Sequence, residues 1–141
     1  MPLAINATGT LLKKGDGATP TEVFTTVPKV TDVQSPNVKT DLQDVTSHDS
    51  SGGFREFLPG LADGESVTAP MWWIPSNTTH IAIRTAAYAF AIGNWKSVFP
   101  DTANNTVSFT GYVTNFQGLA KVGTPLNANL TIKVTALPTW S

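Results

Sequence analysis

The chain has 141 residues, no cysteine and a net charge of -1. That length suits one domain with a sizeable core, the missing thiols exclude disulfides and thiolate metal sites, and the charge balance lacks the basic excess of a polyanion-binding module. Charged residues are only 13% of the chain and threonine is the commonest residue, a composition that favours β-structure over long charged helices.

The N-terminus lacks the basic start and apolar core of a signal peptide, and no apolar run approaches the roughly 20 residues that span a bilayer. The default expectation is a soluble protein folding in the cytoplasm. The net charge hides an asymmetry: residues 1–68 carry five Lys/Arg against nine Asp/Glu, whereas residues 69–141 carry four against one. This is either chance loop composition or a pair of oppositely biased faces that attract head to tail.

Residues 1–10 are small and apolar without clear period, which predicts an extended arm. Leu11 and Leu12 lead through Lys14 into a turn at Gly15-Asp-Gly17. Residues 21–27 are β-rich, and Pro28 confines them to an edge or an ending. Residues 30–33 continue extended up to the turn at Ser35-Pro-Asn37. Val38, Thr40 and Leu42 then alternate with Lys39, Asp41 and Gln43, the period of a half-buried strand. The alternation slips near Asp44 and Val45, where a bulge is expected.

A long segment follows, Asp44-Val-Thr-Ser-His-Asp-Ser-Ser-Gly-Gly-Phe-Arg-Glu-Phe-Leu-Pro-Gly60. A passive hairpin needs about two to five polar residues. This segment instead carries three acids, a histidine, an arginine and two phenylalanines around a Ser-Ser-Gly-Gly hinge. Loops of that kind usually meet something. Ala62-Asp-Gly-Glu65 reads as a tight turn, and residues 65–74 as a strand with Val67, Ala69, Met71 and Trp73 on one side and Thr68, Pro70 and Trp72 on the other.

Residues 76–88 form the one credible helix, with Ser76 or Asn77 as N-cap and Ile83, Ala87 and Phe90 at helical spacing; a strand is the alternative, because Ile81, Ile83, Thr85 and Ala87 also alternate. Three strands close the chain: residues 88–99, ending before Pro100; residues 107–116, ending near Gly118; and residues 130–135, with Leu130, Ile132 and Val134 inward. Six to eight strands and one helix predict a mainly β fold, an antiparallel β-sandwich or barrel with one flanking α-helix.

Catalytic and metal signatures are poor. Ser47-His48-Asp49 has triad residue types, but consecutive side chains cannot converge. His48 and His80 make a poor metal set and read as surface or capping histidines. No cofactor motif is present. Trp72, Trp73, Trp95 and Trp140 read either as core or as a sugar-stacking platform, which makes a small carbohydrate-binding module the alternative function. Trp140, next to the C-terminus, suits docking on a neighbour.

Residues 44–64 resemble the signature of the major tail tube proteins of long-tailed bacteriophages. Supporting this are Gly9 to Leu12, Val30 to Val33, a Trp-containing strand ending at Phe99-Pro100, Phe109-Thr-Gly-Tyr-Val-Thr114 and the closing strand from Leu130 to Leu137. The resemblance covers nearly the whole chain. It implies a barrel-like protomer with an outer helix, no enzymatic activity and no cofactor. Protomers would form hexameric rings whose sheets join into an inner β-barrel, and rings would stack into a tube, favouring the non-contractile type. The tube would enclose the tape-measure protein, meet tail tip and tail terminator proteins, and pass DNA without binding it specifically. The location implied is the virion tail, with assembly in the host cytoplasm.

Within that picture residues 44–64 are the stacking loop, and residues 1–10 and 137–141 are arms. His48, Asp49, Ser50, Ser51, Gly52, Gly53, Phe54, Arg55, Glu56, Phe57 and Trp140 are the expected inter-subunit residues: Phe54 and Phe57 apolar, the charged groups fixing register, and Gly52-Gly53 letting the loop rearrange. Asp41 and Asp44 are candidates for lumen-facing charge that repels phosphate; plain solvent exposure is the alternative. The chain departs from the family in having Phe54 where tryptophan is commoner, and in ending at Ser141 without an immunoglobulin-like C-terminal domain, so a bare tube subunit is expected.

Overall fold

Antiparallel pairing organises almost all of this chain. The computed structural model describes residues 4–17 and 21–141, with Ser51 by its backbone alone. Among them are nine strands: β1 Leu11–Gly15, β2 Phe24–Thr26, β3 Val38–Asp44, β4 Phe57–Gly64, β5 Ser66–Trp72, β6 Ile92–Val98, β7 Thr106–Leu119, β8 Asn127–Val134 and β9 Thr139–Trp140. The helix α1, Thr78–Ala89, lies between β5 and β6. Seven strands make one sheet in the order β2-β1-β6-β7-β8-β5, with β9 continuing along β7, while β3 and β4 pair separately.

The core follows from alternation. Val67, Ala69 and Met71 on β5 and Ala128, Leu130, Ile132 and Val134 on β8 are buried, with Thr and Asn between them on the other face. β7 keeps this phase across a bulge at Thr114, so that Phe109 and Val113 before it and Phe116 after it all pack inward. Trp95, Leu12 and Ile83 fill the remaining centre.

Residues 27–31 fasten the sheet into a barrel. Val27 N–H donates to Leu12 O at 2.8 Å on one side, while Thr31 N–H donates to Pro70 O and Trp72 N–H to Lys29 O, both at 2.9 Å, on the other. The two edges of the sheet are therefore spanned by one short strap, and the edge position predicted from Pro28 is observed. Pro70 sits on β5, where its missing donor faces that edge.

Helix α1 begins at Asn77, whose side-chain oxygen accepts from Thr79 N–H and His80 N–H at 3.0 and 3.2 Å, which resolves the cap in favour of Asn77 over Ser76. It ends at Phe90, a left-handed residue with φ of 53°. Tyr88 and Ala89 thus belong to the helix, and the strand expected from residue 88 starts at Ile92. His80 corrects its surface or capping assignment. Its ring is buried; Nε2 donates to Pro28 O at 2.9 Å and Nδ1 accepts from Ile74 N–H at 3.1 Å. One imidazole thereby joins the strap, the β5–α1 connection and the helix.

Trp140 closes the chain on β9. It has partners within the chain, pairing with Val107 and stacking on Phe99 at a centroid distance of 5.8 Å, and about half of it remains exposed. The described part of the predicted N-terminal arm, residues 4–10, lies without regular structure and largely exposed; residues 1–3 of that arm lie outside the described residues.

Candidate functional site

Residues 38–64 form a ribbon attached to the barrel at one end. β3 pairs with β4 from Val38↔Gly64 to Asp44↔Phe57. The segment expected to be loop from 44 to 64 is therefore a strand from Phe57 onward, because Leu58, Pro59, Ala62 and Asp63 find ladder partners on β3. The predicted turn at residues 62–65 is no hairpin: Glu65 alone separates β4 from β5, which pairs elsewhere. The bulge lies not at Asp44 but on β4, where Gly60 and Leu61 face Asp41 alone.

The ribbon root is fixed tightly. Gly64 packs so close to Val134 that a Cβ there would lie 2.2 Å from its carbonyl oxygen. Glu65 N–H donates to Asn37 O at 2.9 Å, and Lys133 Nζ reaches Asp63 at 3.1 Å and the Gly64 carbonyl. Beyond the root the two strands pack on each other and on little else.

Strand parity sorts the ribbon into two faces. Val38, Leu42, Ala62, Pro59 and Phe57 share one with Thr40 and Asp44. The half-buried period of β3 is thus present, but its apolar side is uncovered: Leu42 is 64% exposed and Phe57 48%. Asp41 falls on the opposite face from Asp44, so a single wall takes one of these two carboxylates and not both.

At the tip, residues 45–56 build a small ordered turn. Val45 N–H donates to Glu56 O, and Glu56 N–H returns to Thr46 Oγ1. Ser47 N–H donates to Ser50 Oγ, and the Ser47 hydroxyl donates to the Asp49 carboxylate. That hydroxyl is committed to the acid rather than to His48, so the local triplet forms no nucleophile–base pair. Gly52 and Gly53, in a 3-10 turn Ser51–Gly53, have φ of 66° and 70°, which requires their lack of a side chain. The Ser51 side chain lies outside the described residues.

Phe54 stands 77% exposed beside Gly52. Arg55 and Asp44 approach to 3.9 Å on the surface, a pair of little net worth in water. The Thr46 hydroxyl and N–H hold the Asp44 carboxyl below its ordinary value, and the Ser47 hydroxyl does the same to Asp49. The structure thus brings His48 to Phe57 together on one projecting tip and leaves Trp140 apart, on β9. Leu42, Leu58 and Leu61 were missed as interface candidates, since alternation reports a buried face without naming what buries it.

The tryptophans do not converge into a platform. Trp95 is buried and Trp73 packs over Gly118. Trp72 aligns through Asn127 with Leu119, whereas Trp140 aligns with Val107, at the other end of β7. Roughly 40 Å of strand contour separates those levels.

No protein-family model and no curated protein matches the sequence. Solved structures do match. The tail of an empty gene transfer agent particle, with C6 symmetry, superposes with a TM-score of 0.77 at 19% identity over 98% of this chain and 99% of that one. The chain has the tail tube fold. A chain of the six-fold-symmetrised anti-feeding prophage baseplate gives 0.74 at 7% identity over 100% and 97%. The SPP1 tail tube gives 0.61 at 13% identity over 93% of this chain and 74% of that one. A tail tube fold is mainly β with one flanking helix here, as expected from the strand and helix patterns.

Proposed function

We propose that this chain is a structural subunit of a phage tail tube, assembling into hexameric rings that stack into the conduit for DNA ejection. The observation that carries this reading is the ribbon with an uncovered apolar face. A lone two-stranded ribbon is marginal in water. Its Leu42 and Phe57 are written for burial, each able to contribute about 1.5–3 kcal/mol once covered. Nothing within the described chain covers them, so the cover is another copy. The shared fold with tail and tube assemblies supports the same conclusion.

In this reading His48, Asp49, Ser50, Ser51, Gly52, Gly53, Phe54, Arg55, Glu56 and Phe57 make the inter-ring contact, with Phe54 and Phe57 apolar and the charged groups setting register. Gly52-Gly53 lets the tip change conformation on docking. Trp140, half-covered by Phe99, adds an aromatic edge to a neighbouring subunit. One of Asp41 and Asp44 faces the lumen and repels phosphate, so DNA passes without specific binding. The chain is non-enzymatic, resides in the virion tail after assembly in the host cytoplasm, and meets tape-measure, tip and terminator proteins. The described part of the N-terminal arm, residues 4–10, and the segment 137–141 serve as further arms.

Negative-stain microscopy of concentrated protein tests this directly. Rings or tubes are expected, and Phe54→Ala or Phe57→Ala should abolish tube growth while leaving the unfolding midpoint unchanged. Tubes of normal length from both variants would remove the stacking role; a monomer that binds saccharide would replace the reading altogether.

A further inference from the structure

A tip that projects from one end of a subunit needs a receptacle, and the barrel carries an apolar hollow at its far end. The ribbon is rooted beside Ser66, at the start of β5. At the other end of the same strand, Trp72 lines a cavity of about 450 Å³ together with Leu119, Lys121, Thr124 and Pro125. The β7–β8 connection that builds it turns at Gly123, with φ of 84°, and Thr124 N–H donates to Lys121 O at 3.2 Å. Turn tips ordinarily take polar residues. This one carries Val122, which is 99% exposed, flanked by half-exposed Leu119, Leu126 and Trp72.

Charge completes the match. Lys121 is the one charged residue among those lining the hollow. Between 44 and 56 the tip bears Asp44, Asp49 and Glu56 against Arg55. Two complementary surfaces at opposite ends of one strand are what a heterologous, non-closing contact requires.

We infer that the hollow at the β7–β8 end receives Phe54 of a second copy, with Lys121 facing the carboxylates of that copy's tip. This rests on the stacked assembly proposed above and names its receiving surface. Val122 and Leu126 form the apolar rim, and Lys121 steers and orients the incoming tip.

Protein carrying a photoreactive benzoylphenylalanine at position 54 is concentrated, irradiated, digested and mapped by mass spectrometry. Adducts to residues 119–127 of a second copy are expected. Val122→Asp, at a fully exposed turn and so without effect on the core, and Lys121→Glu should each lower their yield about tenfold. Rings or tubes whose adducts lie only elsewhere, or whose adducts are indifferent to both substitutions, would overturn the docking assignment and leave the assembly reading standing. Absence of any assembly and of any inter-copy adduct would overturn both.

Discussion

His80 shows how one side chain holds three pieces of backbone. Its ring is buried, and its two nitrogens satisfy a carbonyl and an N–H that would otherwise be stranded in the core. His80→Ala should therefore cost on the order of 2–4 kcal/mol, measured by urea unfolding, because it leaves both Pro28 O and Ile74 N–H unpaired. Phe90 is the converse case. A bulky residue in the left-handed region is strained, and its side chain is largely exposed. Phe90→Gly should raise stability by about 1 kcal/mol, visible as a higher melting temperature. Asn77 was legible as a cap because capping is local in sequence. His80 was not, since its Pro28 partner stands 52 residues away and only the closed barrel brings them together. Asp49 supplies a pH test. Its folded-state value is lowered from the ordinary 3.8 by the Ser47 hydroxyl, so its contribution to tip order is complete above that value and is lost as pH falls through the lowered one. Acid titration of the Asp49 side chain followed by NMR should show its midpoint below that of a model peptide, and Ser47→Ala should return it upward.

At the scale of elements the ribbon and the barrel are separable. The strands β5, β7 and β8 interlock around a shared core, whereas β3 and β4 are rooted at Gly64 and Glu65 and otherwise exposed. Replacing residues 45–56 by an Asn-Gly turn should leave barrel unfolding unaltered and remove assembly. Hydrogen exchange should find β3 and β4 amides open in the free subunit and protected only in tubes, while β7 and β8 amides stay closed in both. The strands with a covered face, β5 and β8, were legible residue by residue from their period. The ribbon was read less well for a physical reason. Residues 57–64 contain Pro59, Gly60 and Gly64, which are poor strand formers, and only pairing with β3 makes them one. Alternation in β3 was read correctly as pattern, but the burial it announces is not satisfied among the described residues.

For the whole molecule, the fold outlives its sequence: superposition holds at 19% identity because a barrel of this kind asks for alternation and volume at core positions and little else. The surface is freer, and its charge is unevenly shared along the chain, with the acidic excess in residues 1–68 and the basic excess in residues 69–141. Assembly that depends on this asymmetry should weaken as salt rises from about 0.05 to 0.5 M, across which the screening length falls by roughly a factor of three. Sedimentation of concentrated protein would register the change, and an unaltered polymer fraction would assign growth to apolar contact alone. The resemblance read from residues 44–64 agrees with the tail tube fold, whereas covering the barrel core places few demands on sequence.

The strap also limits how one barrel can pair with another. Thr68 N–H is capped by the Gln34 side chain, Pro70 offers no donor, and Trp72 N–H is held by Lys29. That flank of β5 is sealed before any neighbour arrives. Lateral annealing of main barrels along it, the route by which strand proteins clump indiscriminately, is closed.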